Sequence, residues 1–161
     1  MRTKAQDSSP ITFFRGTHFF LSNFYPVEIF FAGAVYPSVE HAYQAAKQTD
    51  PEKRERLRSS SSASEAKQLG KKFGSPPDWH QRSLQIMEEL TWQKFFKHRL
   101  LGDWLLRTGD RPLIEGNTWG DTFYGACFQN GEWIGHNHLG KLLMQHRDRL
   151  RTWRNKEKTC S

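Results

Sequence analysis

The sequence predicts an α+β fold: a single compact domain, mainly helical with a small β-sheet. Three observations carry this. The chain has 161 residues, the length of one domain with a core of its own. Aromatic residues make up 14 % of it, including 6 Trp and 12 Phe, and their large buried area offsets a modest aliphatic count. The apolar pattern also changes at Ser38, from short Phe- and Ile-rich runs broken by Gly and Pro to helical spacing. A mean hydropathy of -0.79 and the lack of any apolar run near 18 residues argue against a membrane span.

In order, Ile11–Phe14, Val27–Phe31 and Val35–Tyr36 read as short strands. Ser38, after Pro37, caps a helix to about Gln48, and Asp50-Pro51 opens the next. Ser62 and Glu65 form a capping box that starts a helix ending near Gly74. Asp78 caps a longer helix from Trp79 to about His98, with Leu84, Met87, Leu90 and Phe95 as its apolar face. A short helix covers Leu100–Arg107. Residues 108–136 read as Gly-rich and irregular, with strand-like Leu113–Glu115 and Phe123–Phe128. Asn137 caps a last helix to about Arg151, burying Leu139, Leu142, Leu143 and Leu150. The predicted domain spans 11–153, between a flexible N-terminus (1–10) and a flexible basic tail (154–161).

Cysteine and charge bound the setting. Two cysteines, Cys127 and Cys160, are too few for a secreted disulfide scaffold or a four-thiolate zinc site. Residues 1–10 lack an apolar signal region, so an intracellular, cytoplasmic location is expected. The net charge is +7, and residues 141–161 hold seven basic against two acidic side chains. Such a segment attracts phosphate polymers; it equally suits a solvated helix face.

Four clusters hold the chemistry-bearing residues. In the first, Glu40, Gln44 and Lys47 fall at i, i+4 and i+7, one helical stripe, with His41 beside it and Ala42, Ala45 and Ala46 leaving room for close backbone approach. A carboxylate, an amide and an amine on one stripe can hold a polar ligand and move protons; an ordinary surface Glu-to-Lys helix has the same spacing. In the second, Leu21–Pro26, Asn23 and Phe24 suit hydrogen bonding and stacking of a base, or simply a turn. The third, Glu115–Gly125, sets Glu115, Trp119, Asp121 and Tyr124 among three glycines, as in a cleft-lining loop or one that covers the core. In the fourth, Gly135–Gly140, a capping Asn137 opens a helix whose N–H groups suit a phosphate. His136 and His138 have no third ligand at metal-site spacing. There is no Walker loop, dinucleotide fingerprint or nucleophile elbow.

Together and in order, Leu21–Pro26 (LSNFYP), Tyr36–Lys47 (YPSVEHAYQAAK), Trp79 through Met87 to Lys94-Phe95, Glu115–Gly125 (EGNTWGDTFYG) and Gly135–Arg147 (GHNHLGKLLMQHR) resemble the YbiA-like family, also called NADAR. The resemblance covers about residues 11–150. It implies a small α+β N-glycosidase that cuts the bond between a ribose C1 and an amine nitrogen without a metal or cofactor. One branch acts on ribosylamino pyrimidine phosphates, early intermediates of riboflavin synthesis; another removes ADP-ribose from guanine bases. It further implies catalysis by Glu40, Lys47 and Asp121, with Asn23, Trp79 and Asn137 binding the ligand. Many relatives carry Trp-Gly where this chain has Tyr124-Gly125, which keeps an aromatic face and alters the substrate preference carried over.

On this reading Phe24, Trp119 and Tyr124 stack the base, and Arg15, on the turn at Gly16, meets phosphate. His41, Gln44, Glu115 and Gly125 complete the expected ligand contacts. Lys47 either works as an ammonium or attacks C1 to form a Schiff base. The basic C-terminus favours ADP-ribosylated guanine in DNA or RNA as the substrate over the pyrimidine. A non-catalytic ADP-ribose- or NAD-binding module and a nucleic-acid-binding protein are the competing classes.

Overall fold

The computed structural model describes residues 7–159. The expected flexibility of residues 1–6 and of the end of the basic tail, and Cys160, lie outside them. The described chain forms two compact units: Ser22–Arg99, and the segments before Ser22 and after Arg99. The sequence, with no linker composition in its middle, gives no sign of this division.

In the central unit, β1 (Ile29–Phe31) and β2 (Ala34–Tyr36) form an antiparallel hairpin. Its two-residue turn, Ala32-Gly33, has positive φ at both positions, the turn that matches strand twist. Helices α1 (Val39–Ala46), α2 (Pro51–Arg58), α3 (Ala63–Phe73) and α4 (Trp79–Lys97) follow. Every residue of α1 is buried, and α1 packs on α2, α3, α4 and the hairpin. It is the central helix of this unit, not a surface Glu-to-Lys helix. Ser38 caps it by accepting the His41 N–H, and Asp50 caps α2 by accepting the Glu52 N–H.

Two caps differ from expectation. Ser62 does accept the Glu65 N–H, but Glu65 reaches past it to the N–H and hydroxyl of Ser61, each at 2.6 Å. Asp78 makes no cap bond; its carboxylate pairs with Arg82 one turn on.

In the other unit, Ile11–Phe14 is no strand. Ile11 makes one parallel bridge to Leu113, and a 3-10 helix, Gly16–Leu21, follows. Helix α5 (Arg99–Arg107) leads to a loop-rich stretch containing a second antiparallel hairpin, β3 (Cys127–Gln129) and β4 (Glu132–Ile134). Its turn, Asn130-Gly131, again has positive φ at both residues. The small sheet is thus two separate two-stranded sheets.

Helix α6 spans His138–Thr159, well beyond Arg151, and ion pairs anchor this extension. Arg151 pairs with Asp110 and Asp148, and Arg154 with Asp103. Arg147 is 4 % exposed and donates to Thr108 Oγ1 and the Arg111 carbonyl. Of the seven basic side chains of residues 141–161, Arg147 is buried and Arg151 and Arg154 are ion-paired, whereas Lys141, Arg149, Lys156 and Lys158 are exposed. Leu139, Leu143 and Leu150 are buried as expected, whereas Leu142 is half-buried. Residues 7–9 are tied down by Arg111, which donates to the Ser9 carbonyl and pairs with Asp7. Among the described residues no helix is long and apolar enough to cross a membrane.

Candidate active site

The central unit gathers Asn23, Phe24, Glu40, His41, Gln44, Lys47 and Trp79. Glu40 and Gln44 are 6 % and 4 % exposed. One turn apart on α1, they meet: Gln44 Nε2 donates to Glu40 Oε1 at 2.7 Å. That bond fixes the amide, and it leaves Gln44 Oε1 buried without a hydrogen-bond partner. The close fit depends on Gly70 in α3, where a Cβ would overlap Gln44 Oε1.

Lys47 is the C-cap residue of α1. Its Nζ lies 5.2 Å from the Tyr43 ring centre and 5.7 Å from that of Trp79. The two rings meet edge to face at 5.1 Å, a rigid apolar wall. Burial pushes the Lys47 ammonium below the usual lysine range; Glu40 opposes the shift and Lys67 adds to it.

The Leu21–Pro26 turn is fastened to the start of α1 by the Glu40 N–H, which donates to the Asn23 carbonyl at 3.0 Å. Asn23 Nδ2 points at Met87 Sδ, 3.3 Å away, and Asn23 Oδ1 is buried with no hydrogen-bond partner. Below the turn, Lys94 is 1 % exposed and donates to the Ser22 carbonyl at 2.7 Å. It falls seven residues after Met87, on the buried stripe of α4 that also holds Leu90 and Thr91. A lysine in an apolar register was the available sign that it props this turn.

His41 takes a bracing part. Its Nε2 faces the Ser60 carbonyl at 3.2 Å and its Nδ1 the Ser38 hydroxyl at 2.7 Å. Both ring nitrogens are used within the protein, so the expected ligand contact has no ring nitrogen to serve it. Burial lowers its pKa, against smaller opposing effects of the Ser60 carbonyl and Glu65.

The other unit holds Arg15, Gly16, Glu115, Trp119, Asp121, Tyr124, Gly125 and Asn137. Asp121 Oδ1 accepts the N–H groups of Phe123 and Tyr124, both at 3.0 Å. Asn117 clasps the Asp121 backbone through its N–H and carbonyl. Asp121 thus shapes its own loop. Gly125 is required because a Cβ there would overlap the Glu115 carbonyl.

Asn137 departs most from expectation. With φ of 51°, its side chain does not cap α6. It accepts the Glu115 N–H and donates to the Leu113 carbonyl, both at 2.9 Å. The N–H groups of His136, Asn137, His138 and Leu139 donate to carbonyls of residues 122–125. The helix start is plugged by this loop, so the expected phosphate seat is filled. Trp119 is 63 % exposed, Tyr124 meets Phe123 edge to face, and the Arg15 guanidinium lies 4.6 Å from the Phe13 ring centre. Among the described residues no group of three or more His, Cys, Asp and Glu side chains is placed to hold a metal ion.

This geometry sits inside a recognisable frame. The NADAR domain profile matches residues 12–151. The chain belongs to the NADAR domain family. Over 145 residues it is 34 % identical to a riboflavin biosynthesis protein of Vibrio vulnificus, covering 88 % of this chain and 38 % of that longer protein. It is 36 % identical to an N-glycosidase of Nostoc punctiforme, covering 81 % and 84 % of the two chains. It is 34 % identical to the N-glycosidase YbiA of Escherichia coli, covering 80 % and 79 %. The NMR structure of E. coli YbiA superposes with a TM-score of 0.77 at 30 % identity, over 96 % of this chain and 95 % of that one.

Proposed function

We propose that this N-glycosidase of the NADAR family hydrolyses the C1–N bond of an N-ribosyl compound carrying phosphate on its ribose, with Glu40 and Lys47 doing the chemistry. One observation carries this. A buried carboxylate is held at 2.7 Å by a fixed amide, and on the same helix an amine lies against two aromatic rings.

Breaking the bond builds positive charge at C1 and negative charge on the departing nitrogen. The Glu40 carboxylate stabilises the first and takes a proton from the attacking water. The nitrogen leaves with a proton, and C1 gains the hydroxyl. Burial lowers the Lys47 pKa, which favours the nucleophilic route. Nζ bonds to C1 as the C1–N bond breaks, the leaving nitrogen takes a proton, and the sugar ring opens to an imine. Water then hydrolyses the imine, returning the lysine and a free sugar.

Two substrates share this bond: a ribosylamino pyrimidine phosphate, and ADP-ribose on guanine in nucleic acid. The charge of residues 141–161 favours the second in the sequence. The ion pairs of Arg151 and Arg154 and the burial of Arg147 weaken that argument, and the relative named for riboflavin biosynthesis supports the first. We place the pyrimidine first. The nucleic-acid substrate stays as a second reading because Trp119 offers an exposed stacking face. Incubation with both substrates in parallel, with mass spectrometry of the products, tests the choice. Release of the pyrimidine amine alone supports the first reading, and release of free ADP-ribose with restored guanine alone replaces it with the second.

A further inference from the structure

Beside Lys47 the central unit carries an open cavity of about 300 Å³ lined by Gln44, Lys47, Lys67, Gly70, Lys71 and Ser75. Neither Lys67 nor Lys71 stands out in the sequence. Both lie on α3, one turn apart, and a like-charge pair at that spacing costs helix stability. Lys47 adds a third ammonium from the end of α1. Among the described residues lining the cavity none is acidic. Lys67 Nζ lies 5.7 Å from the Phe24 ring centre, as Lys47 lies against Tyr43 and Trp79, so aromatic rings border two of the three ammonium groups.

A second feature fixes the wall of the cavity. Gln44 Oε1 is a buried acceptor without a partner, and its orientation is set because the amide nitrogen is spent on Glu40. Its close packing against Gly70 holds the side chain in place. Gln48 Nε2 donates to the Gly74 carbonyl at 2.9 Å and holds the rim of the cavity at the end of α3. Three ammonium groups call for a multiply charged anion, and a phosphate ester is one.

We infer that this cavity is the phosphate seat for the sugar that is cleaved, with Lys67 and Lys71 holding the phosphate on C5 of the ribose. The inference rests on the glycosidase reading above, since it puts the ribose beside Lys47 and Glu40. Its test reads binding without turnover, so the two fail separately.

Ribose, ribose 5-phosphate and ADP-ribose are titrated into the full chain and its Lys67→Met, Lys71→Met and double variants by calorimetry, with circular dichroism to verify folding. Ribose 5-phosphate should bind wild type at least ~10-fold more tightly than ribose, each single variant should lose about 10-fold, and the double variant should lose the preference for phosphate, on the scale of charge-assisted contacts. ADP-ribose binding as tightly as ribose 5-phosphate, with the same losses, means the seat takes a bridging pyrophosphate; ADP-ribose binding no better than ribose means it takes a terminal monophosphate. Equal binding of ribose and ribose 5-phosphate, or folded variants with unchanged affinity, overturns the inference. If ribose 5-phosphate binds as stated and no N-riboside is cleaved, the seat stands and the glycosidase reading falls.

Discussion

Gly70→Ala tests the Glu40–Gln44 pair from outside the chemistry. A Cβ at residue 70 would overlap Gln44 Oε1 and stand 2.7 Å from its Cδ, so the Gln44 side chain must swing away. Helix propensity favours alanine by about 0.8–1 kcal/mol, which offsets part of the packing and hydrogen-bond cost, so the variant should fold with a moderately lowered melting temperature. The functional cost is the 2.7 Å bond to Glu40. A hydrogen bond to a charged group is worth about 1.5–3 kcal/mol, which corresponds to roughly a 13- to 160-fold loss in kcat/KM. The assay is steady-state release of the amine product from wild type, Gly70→Ala, Gln44→Ala and the double variant. Because the glycine acts through the glutamine, Gly70→Ala should cost little once Gln44 is alanine. Fully additive losses, or wild-type rates in Gly70→Ala, would refute the reasoning.

Other outcomes follow from the same structure. Glu40→Gln keeps the shape and removes the charge, so turnover should fall by at least ~10²-fold in a folded protein; a near-normal rate removes Glu40 from the chemistry. Borohydride added during turnover should trap a sugar on Lys47, more efficiently as pH rises toward the usual lysine range, and Lys47→Arg should abolish the adduct; an active Lys47→Arg enzyme would favour a purely electrostatic lysine. His41 has its pKa lowered by burial, so the unfolded chain binds more protons just below pH 6.5. Stability contributed by neutral His41 should be lost as pH falls from about 6.5 toward its lowered value, and His41→Gln should flatten that part of a melting-temperature profile. Lys156→Glu with Lys158→Glu, at the end of α6, should leave turnover of the small pyrimidine unchanged; a marked loss would show that this end of the helix serves the substrate.

The helices were legible because their signals are local. Ser38, Asp50-Pro51 and Gly74 act through bonds within one turn, and α1, α2 and the end of α3 start or stop where those residues stand. The second hairpin carries its signal in one dipeptide. Asn130-Gly131 between Phe128-Gln129 and Glu132-Trp133 is a strong two-residue turn signal, hidden by the glycine-rich composition around it.

The site divides along the same line. The stripe of Glu40, Gln44 and Lys47 follows from helical period alone. The burial that turns it from a surface salt-bridge pattern into a site depends on α2, α3 and α4 packing around α1, contacts distant in sequence. Asn137 has the sequence of a cap, yet its side chain reaches back 22 and 24 residues to Glu115 and Leu113, which no local rule anticipates. Lys67 and Lys71 look like ordinary solvated charges until α3 is laid beside the end of α1.

The most direct test of the central claim is the fate of the C1–N bond in ¹⁸O-labelled water. Wild type incubated with a ribosylamino pyrimidine phosphate should release the free pyrimidine amine and ribose 5-phosphate, and Glu40→Gln should release neither at a comparable rate. The label should enter the sugar at C1 and be absent from the amine; because free ribose exchanges its C1 oxygen with water, the sugar is reduced with borohydride at the earliest time points. An intact C1–N bond after prolonged incubation of folded wild type with this pyrimidine and with ADP-ribosylated guanine would contradict the account, as would equal cleavage by Glu40→Gln.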